Sequence, residues 1–84
     1  MKKTINDKAI EAFIGVKIQF GARVRYLRKC KKLTIEELAI ECDLNARYLG
    51  EVERGIRNIS LEGINKIANG LNVSLEELFK GISL

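Results

Sequence analysis

The chain has 84 residues, 46% hydrophobic and 31% charged, with 15 Lys and Arg against 11 Asp and Glu and a net charge of +4. That length is expected to hold one domain with a modest core and no separate catalytic or ligand-sensing domain. There is no His, and Cys30 and Cys42 lack Cys-x-x-Cys spacing, so metal ligation and a Cys–His nucleophile are excluded. No apolar run approaches the roughly 20 residues that span a bilayer, and no signal-peptide core follows Lys2 and Lys3. No membrane association and a cytoplasmic location are expected. The positive balance suggests a polyanionic partner without establishing one.

Residues 1–16 are expected to form an N-terminal extension and residues 17–84 the domain proper. Within 6–16, Ile10, Phe13 and Ile14 fall at i, i+3 and i+4 and share a helix face, with Asn6 or Asp7 as the cap. Gly15 and Gly21 are placed to interrupt or bend the chain, and the pattern leaves open whether this helix joins the next. Over 17–31, Phe20, Val24 and Leu27 form a clearer apolar stripe. Thr34-x-x-Glu37 is a capping box that starts a helix running to about Cys42. Asp43 then occupies a turn position that requires the left-handed conformation. Asn45 caps a helix over 46–54, and Gly55 ends it with positive φ. After Ser60 a further helix carries Leu61, Ile64, Ile67, Ala68 and Leu71 on one face. A second complete capping box, Ser74-x-x-Glu77, opens a last short helix with Leu75, Leu78 and Phe79. No alternating run marks a strand, so an all-α bundle of five or six helices follows.

Residues 34–55 carry most of the information. Leu38, Cys42, Leu44, Leu49 and Val52 can face one small core, and Ala39 leaves room for two helices to cross closely. This is a helix-turn-helix pattern, in which the second helix presents its other face to the DNA major groove. With Leu49 and Val52 inward, Ala46, Arg47, Gly50 and Glu51 form the outward, base-reading face. Arg47 is the natural reader, because its planar fork can bond guanine O6 and N7 together. Glu51 can accept from a cytosine amino group or orient Arg47 at i, i+4. Ala46 offers a methyl-sized apolar contact, and Gly50 permits close approach. Tyr48 can donate its hydroxyl to a phosphate or half-bury its ring. Arg23, Arg25, Arg28, Lys29, Lys31 and Lys32 cluster ahead of the motif, and Arg54 and Arg57 follow it.

Four segments, in order and at the right spacing, resemble the Cro/phage-repressor-like helix-turn-helix domains of the XRE family. They are Arg23-Val24-Arg25-Tyr26-Leu27-Arg28, Leu33-Thr34-Ile35-Glu36-Glu37-Leu38-Ala39, Tyr48-Leu49-Gly50-Glu51-Val52-Glu53-Arg54-Gly55, and Leu71-Asn72-Val73-Ser74-Leu75-Glu76-Glu77-Leu78-Phe79. The resemblance spans 20–79 and implies a lambda-repressor-like fold and DNA binding. Glu53-Arg54-Gly55-Ile56-Arg57-Asn58 in a short chain is similar to the controller proteins of restriction–modification systems, which are small homodimeric transcription factors. The resemblance also implies an ion pair between Arg28 and Glu53 that fixes the recognition helix on its support. Two departures bear on the operator. Ile35 stands where a phosphate-binding Gln is usual, and Ala46 stands where a polar or basic reader is usual.

The leading expectation is a homodimeric regulator on a pseudo-palindromic operator in double-stranded DNA, activating or repressing transcription. Thr34, Tyr48, Arg54, Arg57 and Asn58 form its expected phosphate contacts. Leu75, Phe79, Ile82 and Leu84 supply the dimer surface. The alternative is a protein-interaction module that kept the fold without operator recognition, which the apolar Ile35 and Ala46 favour. With no phosphate-cradling Gly loop and no nucleophile–base pair, an enzyme is not expected. No cofactor, metal or small-molecule ligand is expected either.

Overall fold

The computed structural model describes the backbone of residues 5–83 and the side chains of residues 7–83. Helix α1, Ile5–Cys30, runs unbroken for 26 residues through Gly15 and Gly21. The extension and the first core helix are therefore one element. Each glycine costs a helix only about 1 kcal/mol relative to Ala, too little to break one of this length. Asn6 and Asp7 lie inside the helix and are not its caps. Asp7 sits in the first turn, where its carboxylate complements the helix dipole. The capping position itself falls outside the described residues.

Four shorter helices pack on the C-terminal half of α1: α2 Ile35–Cys42, α3 Ala46–Glu53, α4 Leu61–Leu71 and α5 Leu75–Leu78. Local chemistry fixes their ends. The Thr34 hydroxyl accepts from the Glu37 amide at 3.1 Å, and the Thr34 amide donates to the Glu37 carboxylate at 2.8 Å. The Thr34 amide, and after it the Thr34 hydroxyl, hold the Glu37 carboxyl below its ordinary range. Asp43 adopts φ 54 and ψ 48 as the turn requires, and Asn45 accepts from the amides of Arg47 and Tyr48. Gly55, at φ 74, reverses the chain after α3. Lys32 and Asn72 also take positive φ, at 59 and 57. Ser74 caps α5 through the Glu77 amide. The reciprocal half of that second box is replaced, because the Glu77 carboxylate binds Arg23 Nη2 at 2.9 Å.

The core is one cluster: Phe20, Val24 and Leu27 from α1, Leu38, Ala39 and Cys42 from α2, Leu49 and Val52 from α3, Ile67, Ala68 and Leu71 from α4, and Leu78 from α5. Leu44 packs against it half-buried. Leu61, expected on the inner face of α4, is 85% exposed at the first position of that helix. It lies about 120° around the axis from Ile67, given 3.6 residues per turn. Ile10, Phe13 and Ile14 share a face but are exposed, since α1 extends there past the bundle.

Two glycines set the helix spacing. A methyl group on Gly21 would overlap the Val52 carbonyl oxygen and approach that of Glu53 to 2.6 Å. One on Gly70 would overlap the Cys42 sulfur and lie 2.9 Å from the Cys42 amide nitrogen. Thus α1 meets the end of α3, and α4 meets the end of α2, at distances only glycine allows.

The end of α3 is also held chemically. Arg28 donates from Nε to Glu53 Oε2 at 2.7 Å and from Nη2 to Oε1 at 2.9 Å. Its Nη1 donates to the Leu33 carbonyl at 2.8 Å. The two side chains are only 11% and 4% exposed, and the hydrogen bond to Glu53 raises the Arg28 pKa above its ordinary value.

Gly21→Ala should lower stability by about 1–3 kcal/mol through overpacking. Gly15→Ala, whose methyl would meet only Gln19 Nε2 at 3.9 Å, should raise it by up to about 1 kcal/mol. Denaturant melts of both variants check this, and equal midpoints would contradict the close crossing. Arg28→Ala should cost about 3–5 kcal/mol by stranding a buried Glu53. That loss should exceed those of Arg23→Ala and Arg57→Ala in the same melts, and a smaller loss at Arg28 would contradict the role of the pair.

Candidate nucleic-acid interface

Helix α3 is amphipathic in the way the sequence reading requires. Leu49 and Val52 are buried at 0% and 2% exposure, while Arg47 is exposed near the helix N-terminus. Ala46 and Tyr48, on the flanks, are half-buried and pack against the core. Gly50 departs from the expected open face and is buried. The place its Cβ would take lies 3.8 Å from Ile35 Cδ1 and 3.5 Å from Arg54 Nη1. Ile35 thereby acquires a structural reason: its side chain covers the α3 backbone at Gly50. That reason is tertiary, so the family pattern alone did not reveal it.

The sequence pattern makes Glu51 a base acceptor or a partner for Arg47. Its Oε1 instead accepts from Arg57 Nε at 3.1 Å. The Arg57 guanidinium carbon also lies 5.2 Å from the centre of the Tyr48 ring, within cation–π range. The loop after α3 thus folds its arginine back onto the flank of α3. Arg54 and Asn58 are exposed, as is Thr34, just before α2. The Thr34 amide is already engaged by Glu37, so a phosphate contact from this residue would have to use its hydroxyl.

The basic cluster ahead of the motif divides in two. Arg28 is committed to Glu53 and the Leu33 carbonyl. Arg23 donates to the Glu77 carbonyl from Nε at 3.1 Å and Nη2 at 2.9 Å, and pairs with the Glu77 carboxylate. Arg25, Lys29, Lys31 and Lys32 remain exposed. Sequence reasoning missed the structural role of Arg23, and the signal it carried was only the spare Glu of the second capping box. It also missed Lys66, which reaches Asp43 Oδ2 at 3.7 Å and Glu62 Oε1 at 3.6 Å and ties α4 to the turn between α2 and α3.

At the opposite end, Phe79 stacks on Phe20 with ring centroids 5.2 Å apart. The Gln19 side-chain amide exchanges two hydrogen bonds with the Ser83 backbone. These contacts, with Arg23–Glu77, anchor α5 and the tail to α1. Leu75 is 52% and Phe79 36% exposed, and Ile82 is half-buried. Leu84 lies outside the described residues.

Cys30 is exposed and Cys42 buried, and burial pushes the Cys42 thiol up to about 11. That thiol stays protonated at neutral pH and behaves as a small apolar side chain. Among the described residues no group of three or more His, Cys, Asp or Glu could hold a metal ion. No helix there is long and apolar enough to cross a membrane.

A helix-turn-helix family model matches residues 24–78. The control protein C.BamHI of Bacillus amyloliquefaciens is 42% identical over 65 residues, covering 76% of this chain and 80% of its own length. The control protein C.MunI of Mycoplasma sp is 43% identical over 68 residues, covering 80% of this chain and 92% of its own. The crystal structure of the restriction–modification controller protein C.AhdI from Aeromonas hydrophila superposes with a TM-score of 0.72 at 47% identity. It covers 74% of this chain and 94% of that one. These relatives are control proteins and not enzymes. Five helices among the described residues, a supported recognition helix and these matches agree: the chain belongs to the Cro/phage-repressor-like helix-turn-helix family of DNA-binding transcriptional regulators, the family of the restriction–modification controller proteins.

Proposed function

We propose that the chain is a restriction–modification controller that binds a pseudo-palindromic operator as a homodimer. The observation that carries this reading is an exposed Arg47 in the first turn of a helix whose other face is fully buried. An arginine so placed can enter the major groove and bond one guanine through two donors. Ala46, beside it, adds an apolar contact to a neighbouring base. Arg54, Arg57, Asn58 and the Thr34 and Tyr48 hydroxyls supply phosphate contacts that set the register. The exposed Arg25, Lys29, Lys31 and Lys32 add to the same attraction. Ile35 and Ala46, the residues that favour an interaction module, both pack against the core, so their apolar character has a cause other than loss of DNA binding.

One domain of this size reads only a few base pairs, so two copies are needed for useful specificity. Leu75, Phe79 and Ile82 form the apolar surface offered for pairing, anchored by Phe20, Gln19 and Arg23.

Sedimentation should show a homodimer, and Leu75→Glu, at a position 52% exposed, should shift it toward monomer with the helical content retained. A concentration-independent monomer for the unmodified protein would contradict the proposal. With an operator selected from random duplexes, Arg47→Ala should cost about 1–3 kcal/mol and relax preference at one symmetric pair of positions. Arg57→Ala should instead weaken operator and scrambled DNA alike. It should also flatten the salt dependence of log K by about 0.9 per subunit, one phosphate's worth. Equal losses on both DNAs for Arg47→Ala would make Arg47 a phosphate contact and overturn its role as reader.

A further inference from the structure

Arg47 and Glu51 sit at i, i+4 on α3, yet Glu51 is engaged elsewhere. Its carboxylate receives the Nε–H of Arg57 at 3.1 Å, six residues on and across the turn at Gly55. The Tyr48 ring lies against the same guanidinium, at 5.2 Å. Glu51 is 19% exposed and Arg57 51%, so the carboxylate is tucked under the arginine. A guanidinium has five donors in a rigid fork, and Glu51 takes the one on Nε. The donors on the two Nη atoms are then available to a second anion.

We propose that Glu51 is a positioning residue for Arg57: with Tyr48 it holds the guanidinium in a DNA-ready orientation before DNA arrives. This rests on the reading that α3 faces DNA, and it gives Glu51 a role other than base reading. Charge alone makes the opposite forecast. A carboxylate on a DNA-facing surface repels phosphates, so removing it should tighten binding to any duplex. Holding a long side chain in its bound rotamer works the other way, because immobilising that side chain on binding then costs less. Positioning and repulsion thus give the loss of Glu51 opposite signs in DNA affinity.

The test is a double-mutant cycle on the selected operator, at one fixed salt concentration, with thermal melts of every variant. Glu51→Ala should weaken operator binding about three- to tenfold, the range expected for one unheld arginine. Its melting temperature should fall little, because the Arg57 half of the pair is 51% exposed and solvent screens the attraction. Glu51→Gln, which keeps an acceptor oxygen for Arg57, should recover part of the loss. In an Arg57→Ala background, Glu51→Ala should cause no further loss and should slightly tighten binding, since only repulsion remains to be relieved. Unchanged or tighter binding for Glu51→Ala alone would overturn the proposal. So would an equal loss in both backgrounds, which would mean that Glu51 touches DNA directly. If the unmodified protein showed no preference for any duplex, the DNA reading itself would fall, and that result is distinct from the other two.

Discussion

The bidentate pair between Arg28 and Glu53 is the contact on which the working part of the molecule depends. Helix α3 has eight residues, too few to be stable alone in water, and a DNA reader must hold its side chains to a fraction of an ångström. One guanidinium meets both needs. It grips the last residue of α3 by two hydrogen bonds and the Leu33 carbonyl, just before α2, by a third. Both helices of the motif are thus referenced to one point on α1. The net stability from such a buried pair is small, because desolvation offsets attraction, whereas the penalty for losing one partner is large. The pair therefore contributes more to orientation than to total stability. Gly21 completes the arrangement by letting α1 touch the Val52 and Glu53 carbonyls, which brings Arg28 into range about two turns further on, taking α1 at about 3.6 residues per turn.

With α3 held from behind, its free surface is simple. Arg47 points outward, Tyr48 lies on one flank, and Ile35 closes the other over Gly50. The loop returns Arg57 to the Tyr48 flank through the positive φ of Gly55. Elsewhere, Arg23 and Gln19 anchor α5 and the tail to α1, so the surface proposed for dimer contact moves as a unit with the helix that supports the reader. Two such units, paired through α5, would place two recognition helices at a fixed separation.

Features that depend on a few neighbouring residues were legible in the sequence. The Thr34–Glu37 box, the left-handed Asp43, the Asn45 cap and the turn at Gly55 all follow from local hydrogen bonding and φ preferences. So did most core positions, since Leu38, Cys42, Leu49 and Val52 keep helical spacing. Features settled by tertiary approach were not. The second capping box keeps only its Ser74 half, because α1 brings the Arg23 guanidinium to the Glu77 carboxylate. Gly15 and Gly21 looked alike, although only Gly21 meets another backbone. Leu61 matched the apolar stripe loosely and sits at its edge. The Arg57–Glu51 contact was hidden because it depends on how the loop folds back.

Binding-site selection from a random duplex pool tests the central claim, that a recognition helix held by Arg28 and Glu53 reads DNA in symmetric pairs. The account predicts enrichment of an inverted repeat whose half-sites are separated by about one helical turn, roughly 34–36 Å, or a multiple of it. No enrichment, or a single unrepeated site, would contradict it.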